Sequence, residues 1–203
     1  MDCMEGMREF PDNYFSLAII DPPYGINFAK TNTGNGWTVR ESKDRDKNIP
    51  SKEYFKELFR VSKDQIIWGG NYMVEYLPPS MGWVFWDKGQ RNFSLADGEL
   101  AFTSFNRALR VFDMARGKCK AEDDLDGGKI HPTQKPVRLY KWLLKNYAKP
   151  DMKIIDTHVG SGSSIIAFID FGCEWIGFEI DADYHKAASK RIAIHKQQLR
   201  MFQ

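Results

Sequence analysis

The stretch KIIDTHVGSGSSIIAFIDFGCEWIGFE, residues 153–179, decides the fold. Lys153 to Asp156 is a short apolar run that ends on an acid, and Gly160-Ser161-Gly162 supplies a turn. Ser163 to Phe171 is long and apolar enough for a buried helix, and Trp175 to Glu179 reads as a second short strand. Two such strands joined through a helix are a βαβ unit, with the strands parallel and the helix crossing one face of the sheet. Ala182 to Gln198 then continues as a further helix. Glycines in a strand-to-helix turn let the backbone approach a ligand, and an acid ending the next strand can accept ribose hydroxyls. Glu179 stands 17 residues after Gly162, near the roughly 20 of nucleotide-binding βαβ units. Gly-x-Gly alone is equally an ordinary tight turn. The full Gly-x-Gly-x-x-Gly pattern is absent, because Ile165 holds the last glycine position. That points away from a pyrophosphate cofactor and toward a nucleoside without phosphates, such as S-adenosylmethionine.

Outward from this unit, Leu17 to Ile20, Gln65 to Trp68, Trp83 to Trp86 and Leu100 to Phe105 read as further strands. The first is stopped by Asp21-Pro22-Pro23, where two prolines cannot continue a ladder. Ser51 caps a helix carrying Tyr54, Phe55, Leu58 and Phe59 at helical spacing, and Leu139, Trp142, Leu143 and Tyr147 form a second stripe after Pro136. Polar loops are expected over 29–50 and 113–130. Strands alternating with helices predict an α/β protein, a mostly parallel sheet with helices on both faces. There are no internal repeats and no linker, so residues 1–203 are expected to form a single domain.

Composition sets limits on function. With 42% apolar and 14% aromatic residues the chain can bury one core, and a net charge of +2 neither demands nor excludes nucleic acid. Cys3, Cys119 and Cys173 are odd in number and widely spaced, which speaks against a disulfide framework or a zinc site and for a reducing cytoplasm. No signal peptide and no membrane span is expected. His131 lacks further ligands at metal spacing, so it is read as a hydrogen-bonding residue and no metal is expected. From Lys88 to Lys120, seven basic residues face three acidic ones.

Residues 156–164 (DTHVGSGSS) resemble the DxFxGSGTT motif of the amino-group DNA methyltransferases. Residues 177–192 (GFEIDADYHKAASKRI) are similar to their GxExxxxYxxxAxxRI continuation, and His131-Pro132-Thr133-Gln134-Lys135-Pro136 to their HPTQKP box. Asp21-Pro22-Pro23-Tyr24 matches their catalytic tetrapeptide, which here precedes the cofactor motif, as in the circularly permuted β-class. The resemblance covers nearly the whole chain. The chain departs from the pattern at His158, where the family usually has an aromatic residue.

The resemblance implies a Rossmann-like S-adenosylmethionine-dependent methyltransferase fold and an adenine-specific, site-specific DNA methyltransferase. The target would be the exocyclic N6 amine of a flipped adenine in double-stranded DNA, and the product S-adenosylhomocysteine. Cytosine-N4 methylation is the nearest alternative. RNA or protein-amide methylation and a catalytically inactive DNA-binding homologue follow. The amine's lone pair is delocalised into the ring. Asp21 and the Pro22 carbonyl would accept its two N–H groups and aim that lone pair, Pro23 would stiffen the backbone, and Tyr24 would give the flipped base a stacking face. By the same resemblance, Asp156, Thr157 and the turn Gly160, Ser161, Gly162 would contact the methionine part of the cofactor, and Glu179 the ribose. Thr133 and Lys135 would lie near the methionine carboxylate, with Asp21 at the methyl group. Asp2 would meet the adenine amine; almost no chain precedes it, so the strand usual before it is expected to be missing or supplied otherwise. The target-recognition segment would span about 88–130, with Arg107, Arg110, Arg116 and Lys118 on DNA and Asp97, Glu99, Phe93, Phe102 and Phe105 as framework. A segment this short leaves room for a homodimer or a partner to extend the DNA-contacting surface. Nothing in the chain supplies a nuclease, which fits a stand-alone modification enzyme acting on bacterial or phage DNA in the cytoplasm.

Overall fold

The computed structural model describes residues 1–26, 47–92, 96–115, 117–118, 130–131 and 133–201. Much of the expected loops, and Arg116 with them, lies outside these. In chain order the elements are α1 (Cys3–Arg8), β1 (Phe15–Ile20), α2 (Lys52–Val61), β2 (Ser62–Trp68), β3 (Trp83–Asp87), β4 (Gly98–Thr103) and β5 (Arg110–Asp113). They continue with α3 (Val137–Tyr147), β6 (Lys153–Asp156), α4 (Ser163–Phe171), β7 (Glu174–Gly177) and α5 (Ala182–Met201). Two short 3-10 turns, Gly70–Tyr72 and Val74–Tyr76, follow β2.

The strands form one seven-stranded sheet in the order β5-β3-β4-β2-β1-β6-β7. All pairings are parallel except those of β4, which runs against both β2 and β3. Residues 17–20 of β1 are all fully buried, as a strand covered on both faces must be. Leu17 and Ile19 face one core with Leu139, Leu143 and Leu144 of α3 and Ile165 and Phe168 of α4. Ala18 and Ile20 face the other with Met7 of α1 and Tyr54, Phe55 and Leu58 of α2. The expected helix-sheet-helix layering is therefore present.

Local signals account for the helix ends. The Ser51 hydroxyl accepts from Tyr54 N at 3.3 Å to open α2, and Gly162 and Gly172, with φ of +79° and +80°, bracket α4 in the left-handed region. Two elements differ from expectation. The helix α1, capped by Asp2, was not legible because six residues are too few for a periodic stripe. The edge strand β5 lies where only a basic stretch was expected; its pattern of one buried and three exposed residues is that of a strand lacking a neighbour on one side. No helix among the described residues is long and apolar enough to cross a membrane.

Candidate active site

Parallel strands collect their carboxyl ends on one edge, which is where open α/β sheets bind ligands. Asp21 follows β1, Gly69 follows β2, Lys88 follows β3 and Asp156 closes β6 on that edge. Because β4 is reversed, its first residues are there too, with Glu99 paired in register to Trp86.

A polar cluster forms around Asp21. Its Oδ1 accepts the Tyr24 hydroxyl at 2.7 Å and a short contact from Lys135 Nζ. Lys135, with only 3% of its side chain exposed, also donates to the Tyr24 hydroxyl at 2.8 Å and pairs with Glu99 Oε2 at 3.1 Å. Lys88 Nζ closes the row on Glu99 Oε1 at 2.5 Å. Cations and carboxylates thus alternate: Lys88, Glu99, Lys135, Asp21. Burial pushes the Asp21 carboxyl up; Lys135 opposes the rise and Glu99 adds to it. Burial also works against an ionised Glu99, but Lys135 and Lys88 outweigh it and hold that carboxyl at about 2. Burial disfavours the Lys135 ammonium, yet its two carboxylates raise its pKa and keep it charged. Burial drives the Tyr24 hydroxyl well above its usual range, so it remains a donor.

The Tyr24 ring is fixed from β2's side. A Cβ on Gly69 would stand 2.2 Å from that ring, and Gly69 has a φ of +68°, so only glycine fits there. The exposed Tyr72 stacks on Tyr24 with centroids 5.3 Å apart and planes 18° from parallel.

The second half of the site is the turn after β6. Buried Asp156 accepts from His158 N at 2.9 Å with Oδ1 and from the Ser164 hydroxyl at 2.5 Å with Oδ2, so its carboxylate orders the turn. Glu179, just beyond β7, accepts from Gly160 N at 2.9 Å and Asp181 N at 2.8 Å; each of its oxygens keeps a second lone pair. Gly160 has a φ of +53°, and a Cβ there would meet nothing nearer than the His131 ring at 3.7 Å. That is a cradle lined by backbone, with the His131 ring on one side and an acid beside it. Thr157 Oγ1 bonds to the Tyr54 hydroxyl at 2.5 Å and to His158 Nδ1 at 2.9 Å. Ser161 Oγ meets Ser163 Oγ at 3.0 Å, and Arg191 Nη1 braces the turn by donating to the Ser161 carbonyl and Ser163 hydroxyl. The Asp2 side chain accepts from Met4 N, capping α1. Thr133 pairs with His131 Nδ1 through both its N–H and its hydroxyl.

Burial lifts the Asp156 carboxyl to about 7, although Ser164 and the His158 N–H stabilise its charge. An acid with a folded pKa above its unfolded 3.8 gives stability that is full below about pH 4 and lost as pH rises toward 7. Asp156→Asn keeps an acceptor for His158 N and cannot ionise. Thermal melts at pH 5 and pH 8 are expected to show the variant gaining on the parent as pH rises; a parent that gains on the variant would contradict this.

The structure brings Asp21, Pro22, Pro23, Tyr24 and Lys135 to one edge together with Asp156, Thr157, Gly160, Ser161, Gly162 and Glu179. It does not bring Arg107 and Arg110 there. Arg107 follows the end of reversed β4 and donates to the Asn146 carbonyl at 2.6 Å, and Arg110 begins β5, so both stand at the opposite edge. Lys118, just past β5, is exposed on the site's side of the sheet. The sequence reading left out Glu99, placed with the framework, and Lys88, Gly69, Tyr72 and Arg191. A lone acid at the start of an otherwise apolar strand was the available signal for Glu99.

Known proteins resemble this chain in sequence and in fold. A family model described as "DNA methylase" matches residues 78–190. The Escherichia coli (strain K12) protein named "Putative methylase YubD" is 27% identical, over 95% of this chain and 88% of its own length. The solved M1.HpyAVI–SAM complex superposes with a TM-score of 0.60 at 16% identity, covering 95% of this chain and 96% of the other. PvuII DNA methyltransferase, described as cytosine-N4-specific, superposes equally at 0.60 with 14% identity over 94% and 84% of the two chains. At these identities the solved structures speak for the fold.

Proposed function

This chain belongs to the DNA methylase family, and from that premise we propose that it methylates the exocyclic N6 amine of adenine in double-stranded DNA. The observation that carries the reading is the Asp21 carboxylate, which ends β1 against two prolines. Its Oδ1 is filled by Tyr24 and Lys135, and it shares a sheet edge with the glycine cradle of Gly160 to Gly162. The cradle, the spare lone pairs of Glu179 and the nearby Asp2 fit a nucleoside bearing an amino-acid arm. S-adenosylmethionine supplies an electrophilic sulfonium methyl when bound there.

The protein groups have separate tasks. Asp21 Oδ2 and the Pro22 carbonyl receive the two amine hydrogens, which favours a tetrahedral nitrogen whose lone pair points at the methyl group. After transfer the nitrogen sheds one proton to Asp21 or to water. A base drawn out of the duplex would stack on the Tyr24 ring in place of the exposed Tyr72. Asp156 and Arg191 hold the turn from behind; Glu179 accepts from the ribose. Lys135 acts at the Asp21 carboxylate. Among the described residues, Lys118 is the best placed of the candidate DNA contacts.

Duplex DNA incubated with the protein and methyl-labelled S-adenosylmethionine, then digested to nucleosides, tests the reading. Labelled N6-methyladenine is the expected product. Labelled N4-methylcytosine instead would overturn the choice of base, and no label in DNA would overturn the activity.

A further inference from the structure

The Lys88–Glu99–Lys135–Asp21 row holds one carboxylate more than the amine requires. We propose that Glu99 is a positioning residue for methyl transfer: by sharing Lys135 and the Tyr24 hydroxyl with Asp21, it fixes the donors that fill Oδ1 and leaves Oδ2 to receive the amine. The proposal rests on the reading of Asp21 given above.

The geometry supports it in three ways. Lys135 Nζ touches both carboxylates and the Tyr24 hydroxyl, and that hydroxyl lies 2.7 Å from Asp21 Oδ1 and 3.2 Å from Glu99 Oε2. The one proton of Tyr24 therefore goes to Asp21, while Glu99 holds the other side of the lysine. A buried ammonium paired with Asp21 alone would neutralise it and weaken it as an acceptor; a second carboxylate divides that cation. Lys88, held over the Trp86 ring at 4.9 Å, in turn balances Glu99. Among the described residues, Tyr140 of α3 and Asp156 of β6 also act on Asp21, and neither lies in the row.

An alternating row makes a signed prediction. Neutralising Glu99 gives Asp21 sole claim on Lys135, so Asp21 titrates at lower pH and accepts more weakly. Removing Lys88 leaves Glu99 drawing harder on Lys135, so Asp21 titrates at higher pH. A residue that only supports the fold would not move the two midpoints in opposite directions.

The test compares the parent with Glu99→Gln and Lys88→Met. It reads single-turnover methylation of duplex DNA against pH at saturating S-adenosylmethionine, and the carbon-13 titration of the Asp21 carboxyl in the ligand-free protein. Glu99→Gln is expected to slow transfer by about 10²-fold, as misplaced reacting groups do, and to keep the cofactor dissociation constant within about threefold. Its acid limb and its Asp21 midpoint move to lower pH, and those of Lys88→Met move to higher pH. Midpoints that stay put, or move the same way in both variants, overturn the proposal. A parent that leaves DNA unmethylated overturns the functional reading instead, and the carboxyl titration still decides the role of Glu99. Should Glu99→Gln fail to fold, the upward shift of Lys88→Met supports the proposal and its absence sinks it.

Discussion

Lys135→Met is expected to stop methyl transfer and to lower the melting temperature in the same protein. The ammonium sits between Asp21 and Glu99 with 3% of its side chain exposed, so its removal leaves two carboxylates close together in a poorly solvated place. Breaking such a buried arrangement from one side costs about 3–5 kcal/mol. At roughly 2–4 °C per kcal/mol for a chain of this size, the melting temperature falls by about 6–20 °C. The protein can relieve the strain only by taking up a proton, and Asp21, whose carboxyl burial already pushes up, is where that proton goes. A protonated Asp21 offers the amine no charge, so the chemistry is lost even where the fold survives. The loss of stability is also smaller at pH 5 than at pH 8, because proton uptake is easier at the lower pH. Melts at both values and a methylation assay check this; a variant that melts with the parent at pH 8 would show that Lys135 does not hold these carboxylates together.

Asp21→Ala should separate the two effects. Lys135 keeps Glu99 as its partner, so no buried charge is stranded and the melting temperature changes far less than in Lys135→Met. The turn that would hold the cofactor is tied by Asp156, Glu179 and Arg191, none of which bonds to Asp21, so cofactor affinity is expected to stay at the parent's level. Transfer should fall at least about 10³-fold, the upper range for losing one preorganised polar group at a reacting centre. Calorimetry with S-adenosylmethionine and a labelled-methyl assay read the two quantities on the same preparation. Methylation at the parental rate by this variant would remove Asp21 from the mechanism.

The residues differ in how far the sequence alone could place them. The turn at Gly160 to Gly162, the cap at Ser51 and the stop at Asp21-Pro22-Pro23 rest on backbone preferences acting within a few residues, and a linear reading finds such features. Lys135 was found through its box, and what it touches was not: its carboxylate partner Asp21 lies 114 positions away. Arg107 and Arg110 read as members of the same basic segment as Lys118, but the hairpin of β3 and β4 carries them to the far edge of the sheet.

The sequence by itself therefore determined the βαβ unit, the layered α/β class and the two motifs that frame the proposed site, because apolar runs, glycines and prolines act locally. Only the tertiary structure decided that Glu99 and Lys88 join Asp21 and that two of the arginines do not. The reason is the direction of β4. A reversed strand exchanges which of its ends meets the catalytic edge, and that direction is set by pairing with β2 and β3 across the sheet.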